Sequence, residues 1–135
     1  MKVLIIDGQG GGLGRQLVTA VKEKCPEAEV LAVGTNSTAT GAMLRAGADQ
    51  AATGENAVLV ACRRADVIIG PIGIVIADSM LGEITPAMAA AVGSSPAKRV
   101  LVPVNHCDNL VVGVADAPLA QLAQEAARRV AEFSR

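Results

Sequence analysis

Apolar and polar positions fall in blocks along this chain, and the period of each block predicts an element. Lys2–Asp7 is a nearly continuous apolar run closing on an acid, as expected of a strand buried on both faces. From Leu13 to Lys24 the period changes to that of a helix, with Leu13, Leu17, Val18 and Val21 on one side and Cys25-Pro26 as the stop. Val30–Val33 is a second strand, closed by Gly34. The polar run Thr35–Thr38 offers N-caps for a helix to about Ala46, ended by Gly47. Asp49–Ala52 is a short third strand, and Thr53-Gly54-Glu55 opens a helix to about Arg64. Asp66–Ile69 is a fourth strand, broken by Gly70–Gly73. Ile74–Leu81 reads as a helix ending at Gly82.

Thr85 and Pro86 suit the start of the next helix, which runs to about Val92 and is followed by the loop Gly93–Pro96. Arg99–Val104 is strand five, Asn105–Asn109 a turn, and Leu110–Val114 strand six. Five residues are too few for a parallel crossover, so strand six is expected antiparallel to strand five. Asp116 and Pro118 open a final helix, Leu119–Phe133. Strands alternating with helices predict one α/β domain spanning 1–135, a three-layer, doubly wound, Rossmann-like sheet. The expected strand order is 3-2-1-4-5, mostly parallel, with an antiparallel edge strand.

Composition narrows the function classes. Half of the 135 residues are apolar, yet there is one Phe and neither Trp nor Tyr, so the core is aliphatic. Such apolar content in a small chain points either to a sheet covered on both faces or to burial between subunits. A homo-oligomer, as a dimer, is expected. A formal charge of −1 and the lack of aromatic stacking surfaces argue against nucleic acid as a partner. No apolar stretch approaches the ~20 residues of a membrane span, and Lys2 is followed by too short an apolar run for a signal peptide. Cys25, Cys62 and Cys107 form no paired or zinc-binding pattern, so no metal is expected and a cytoplasmic location is.

The candidate chemistry starts at the glycines after strand one. A dinucleotide spacing G-x-G-x-x-G does not fit, because Leu13 or Arg15 stands where the last glycine is required. Gly8-x-x-x-Gly12-x-Gly14 does fit, and resembles the short-chain dehydrogenase/reductase variant. Lying between a strand and a helix, Gly8, Gln9, Gly10, Gly11, Gly12, Leu13 and Gly14 are placed to wrap a pyrophosphate on unpaired helix N–H groups. The same turn can also serve only tight strand–helix packing. Thr35 and Asn36 would meet an adenosine ribose or cap the helix. Gly70, Pro71, Ile72 and Gly73 would lie under the far half of the ligand or simply enter a turn. NAD or NADP is the cofactor this pattern suggests. Short-chain reductases use a Tyr and Lys pair, and this chain has no Tyr, so the resemblance stops at binding.

His106 is the only histidine, and Asp108 stands two residues on, able to orient it as an acid/base or to form a hairpin turn. Asp78 and Glu83 flank a mostly apolar stretch and read either as cavity-lining acids or as helix-end solvation. Three readings follow: a nucleotide-binding protein, a small enzyme on a phosphorylated or anionic substrate using His106 and Asp108, and a non-catalytic nucleotide-sensing subunit. The stretches Ile-Asp-Gly-Gln-Gly-Gly-Gly-Leu-Gly (6–14), Gly-Thr-Asn (34–36), Ala-Thr-Gly-Glu-Asn (52–56), Gly-Pro-Ile-Gly-Ile-Val (70–75) and Ser-Met-Leu-Gly-Glu-Ile-Thr (79–85) together resemble a small bacterial family catalogued as a domain of unknown function. That resemblance implies no activity.

Overall fold

The computed structural model describes residues 1–104 and 108–134. Its elements, in order, are β1 (Lys2–Asp7), α1 (Gly12–Lys24), β2 (Glu29–Gly34), α2 (Ser37–Arg45), β3 (Gln50–Thr53), α3 (Glu55–Cys62), β4 (Val67–Pro71), α4 (Pro86–Ser94), β5 (Lys98–Val102) and α5 (Leu119–Glu132). The five strands form one sheet ordered β3-β2-β1-β4-β5, and every pairing is parallel.

The apolar run of β1 is explained by what covers each face. Val3 and Ile5 belong to the core under α1, α2 and α5, whereas Leu4 and Ile6 belong to the core under α3 and α4. Successive side chains of a strand point to opposite faces, so a central strand covered on both sides has no polar position to alternate with. Burial of these aliphatic side chains stabilises the sheet by roughly 1.5–3 kcal/mol each. Register lines up Asp7, Gly34 and Thr53 across the carboxyl ends of β1, β2 and β3. On the other side Pro71 of β4 pairs with Val102 of β5.

Two expected elements are not formed. Leu110–Val114 makes no strand, so among the described residues there is no antiparallel edge and β5 is the edge. Gly113 takes a left-handed φ of 84°, which interrupts the extended backbone a ladder requires. Residues 74–81 are not a helix either. A short 3₁₀ turn, Ile72–Val75, gives way to turns in which Asp78, Met80 and Leu81 all have positive φ. The apolar periodicity there comes from Ile74, Met80 and Ile84 reaching the core from an irregular loop. By contrast the Thr85 N-cap is present: its hydroxyl accepts the Met88 N–H at 3.1 Å, with Pro86 in the first turn of α4.

Cys25 and Cys62 are buried free thiols. Burial pushes the Cys62 thiol up to about 11, so it stays protonated and unreactive at neutral pH. No helix among the described residues is long and apolar enough to cross a membrane, and no group of described side chains could hold a metal ion.

Candidate functional site

β1 ends on a buried acid. Asp7 is 2% exposed, and its Oδ2 accepts the Gly14 N–H at 2.6 Å, tying the end of the strand to the first turn of α1. Burial pushes the Asp7 carboxyl above its ordinary value. Hydrogen bonds from the Gly14 and Gly8 backbone offset this only in part, and the charge of Glu83 adds to it.

The loop between strand and helix is a tight turn, closed by the Gly11 N–H donating to the Gly8 carbonyl at 2.9 Å. Gln9 and Gly11 have φ of 51° and 74°. The Gln9 N–H donates to Glu83 Oε1 at 2.9 Å, and the Arg15 N–H donates to the Gly11 carbonyl. That leaves the N–H groups of Gly10, Gly12 and Leu13 without a partner among the described residues. All three stand at the amino end of α1, where the helix dipole adds partial positive charge. They line a cavity of about 210 Å³ that Val104 and Leu119 also line.

The glycines of this loop divide into two kinds. A Cβ on Gly8 would lie 2.5 Å from Thr35 Oγ1, one on Gly14 2.6 Å from Met43 Sδ, and one on Gly11 2.9 Å from the Ala39 backbone. Those three are required by packing. At Gly10 and Gly12 a Cβ would meet nothing within 4 Å among the described residues, and neither has positive φ. The glycines that fit the short-chain-reductase spacing, 8, 12 and 14, therefore do unlike jobs.

Glu83 is the residue that sequence reasoning did not place here. Its Oε1 accepts from the Gln9 N–H, from Thr35 Oγ1 at 2.6 Å and from Asn36 Nδ2 at 2.8 Å. Burial raises the Glu83 carboxyl, but the hydrogen bonds from Thr35, the Gln9 backbone and Asn36 outweigh it and hold the carboxyl below its ordinary value. Asn36 in turn caps α2 by accepting the Ala39 N–H, and its Nδ2 also donates to the Gln9 carbonyl at 3.0 Å. Asn36 is thus a helix cap, and both residues donate to Glu83. The available signal was the Gly82-Glu83 pair leading into Thr85-Pro86, a turn rather than a helix end.

The second glycine stretch is closed. A Cβ on Gly70 would lie 2.4 Å from the Ile6 carbonyl oxygen, so this glycine lets β4 approach β1. Pro71 and Gly73 are buried, Ile72 is half-buried, and the Gly73 carbonyl accepts the Ser79 hydroxyl at 2.5 Å. Gly70, Pro71, Ile72 and Gly73 therefore present no open backbone to a ligand. Asp108 sits in an exposed turn with φ of 61°. His106, its expected partner, lies outside the described residues, as do Asn105 and Cys107.

No curated protein sequence matches the chain. Among solved structures it is similar to one described as a dodecameric FMN-dependent UbiX-like decarboxylase from Escherichia coli O157:H7. The two share 21% identity and a TM-score of 0.49, over 96% of this chain and 75% of the other. That neighbour is described as FMN-dependent, and the expectation of NAD or NADP is corrected on the geometry of this chain's own site. The site itself gives a physical reason. Thr35 and Asn36, expected to meet the adenosine ribose, already donate to Glu83, and the stretch expected under the nicotinamide half is packed shut. Residues 2–135 match the sequence model of a family described as a domain of unknown function, DUF3842, and the chain belongs to that family.

Proposed function

We propose that the protein binds a small phosphate-bearing ligand, of the nucleotide or phosphorylated-cofactor class, at Gly10, Gly12 and Leu13. The observation that carries this reading is the coincidence of two features at the same residues. Their N–H groups have no partner among the described residues, and the two glycines face space that no described residue fills. Backbone N–H groups at a helix start bind phosphate oxygens through direct hydrogen bonds and the helix dipole. The reading concerns binding. Asp7, the acid within the cavity lining, already accepts the Gly14 N–H, which favours a structural role over proton transfer.

Calorimetric titration with FMN, ATP and inorganic phosphate tests the reading. At least one should bind below the millimolar range, and Gly12→Val should weaken it tenfold or more with the thermal midpoint retained. If none binds, or if Gly12→Val binds as well as the wild type, the reading is wrong. A homo-oligomer is also favoured, because Leu110 and Val112 are 88% and 89% exposed in the single chain. Sedimentation showing a monomer would remove that part.

A further inference from the structure

The geometry points to a phosphate ester with an uncharged, apolar body as the ligand, the body lying in a second cavity that adjoins the glycine loop. This rests on phosphate binding at Gly10, Gly12 and Leu13. The glycine-loop cavity is not isolated. Val104, which lines it, also lines a cavity of about 160 Å³ walled by the connection between β5 and α5. The two meet along α5 as well, because Leu119 lines the first and Leu122, one turn on, lines the second. Val104, Leu119 and Leu122 all pack against the core beneath α1 and α5, so the shared floor is held in place from below. Small-molecule sites begin at about 300 Å³. Neither cavity reaches that size alone, at about 210 and 160 Å³, and the two together do.

The lining of the second cavity sets the class of the body. Among the described residues that line it, Asp116 has the only polar side chain, and Leu110, Val111 and Val114 supply an aliphatic wall. No basic side chain is among them, so nothing there answers a second phosphate, and the charge of Asp116 opposes one. That sets the ligand apart from a nucleoside diphosphate or triphosphate. The want of hydrogen-bonding side chains sets it apart from a bare sugar phosphate, whose hydroxyls would lose water there without replacement. Leu110 and Val114 are 88% and 48% exposed although both line the cavity. An apolar body seated against them takes that surface out of water, which is the favourable term for binding. Val112, between them in the chain, is 89% exposed and lines neither cavity.

The test titrates methyl, propyl and pentyl phosphate into the full chain by calorimetry, with ribose 5-phosphate as the hydroxylated counterpart of the longest. Each methylene buried in the second cavity tightens binding by about fourfold. Pentyl phosphate should therefore bind at least about tenfold tighter than methyl phosphate, and tighter than ribose 5-phosphate. The double variant Leu110→Asn/Val114→Asn changes side chains that are exposed in the unliganded chain, and should bring the ratio of pentyl to methyl affinity close to one. Val112→Asn should leave that ratio at its wild-type value. If the double variant lowers the thermal midpoint, the wild-type series decides by itself. Equal binding of methyl and pentyl phosphate, a preference for ribose 5-phosphate over pentyl phosphate, or a chain-length preference that survives in the double variant overturns the apolar body and leaves phosphate binding standing. A ratio lowered as far by Val112→Asn as by the double variant also overturns it, in favour of a second copy of the chain covering this wall. Failure of all four ligands to bind the wild type overturns the phosphate reading, and this inference with it.

Discussion

Two glycine-rich stretches close the neighbouring central strands of this sheet, Gly8–Gly14 after β1 and Gly70–Gly73 at the end of β4, and they do opposite things. The first leaves three N–H groups without a partner among the described residues, beside a cavity. The second is packed against the Ile6 carbonyl and bonded by Ser79. Both read as ligand loops in the sequence, because a glycine that lets a ligand approach and one that lets a strand approach are the same letter. What separates them is whether the space where a Cβ would stand is occupied. Within the first stretch the same criterion sets Gly10 and Gly12 apart from Gly8, Gly11 and Gly14.

This contrast is open to direct attack by substitution. The largest effect is expected at Gly70→Val. A Cβ there would stand 2.4 Å from backbone of the adjacent central strand, which cannot yield as a flexible side chain can. Urea denaturation should show a loss of about 3 kcal/mol or more. Near-wild-type stability would mean that β4 and β1 are not packed as described. Gly11→Ala should cost less, about 1–3 kcal/mol, from the left-handed backbone and contact with Ala39.

Asp7 supplies a smaller effect with a defined sign. Its carboxyl titrates above the ordinary value in the folded protein, so the native state holds the proton more tightly than the unfolded chain does. Stability contributed by this group is therefore full below the ordinary carboxyl value and falls as pH climbs from there through the raised one. Asp7→Asn, which keeps an oxygen for the Gly14 N–H, should abolish that fall and be the more stable protein at neutral pH. Glu83, held low, contributes in the opposite sense: its share is present above its ordinary value and is lost as pH drops through the lowered one. Thermal midpoints followed from pH 3 to 7 in Asp7→Asn and in Glu83→Gln would separate the two. The smallest effect on stability is expected at Gly12→Ala. In the first turn of α1, with open space around it, alanine should change stability by no more than about 1 kcal/mol, in the favourable direction.

Much of the fold was legible because both faces of the sheet are covered. Uninterrupted aliphatic runs such as Val3–Ile6 and Val67–Ile69 can belong only to central strands, and right-handed crossovers then order them. The errors fall where local pattern and tertiary role diverge. Leu110–Val114 has the composition of a strand, but Gly113 turns the chain and the alternate positions Leu110 and Val112 remain exposed. Residues 74–81 carry apolar spacing that serves an irregular loop. The glycine loop was visible as a candidate site and Glu83 as a possible cavity-lining acid, but not that the two meet, because this depends on a contact 74 residues away in the chain, to Gln9. No local period encodes that contact.

The central claim is that the N–H groups of Gly10, Gly12 and Leu13 receive a phosphate. Amide chemical shifts of the uniformly ¹⁵N-labelled protein, followed as inorganic phosphate or FMN is added, test it most directly. The account predicts large, saturable shifts at those three amides, with Gly70 and Gly73 unmoved. Saturable shifts clustered elsewhere, or none at the glycine loop at millimolar ligand, would contradict it.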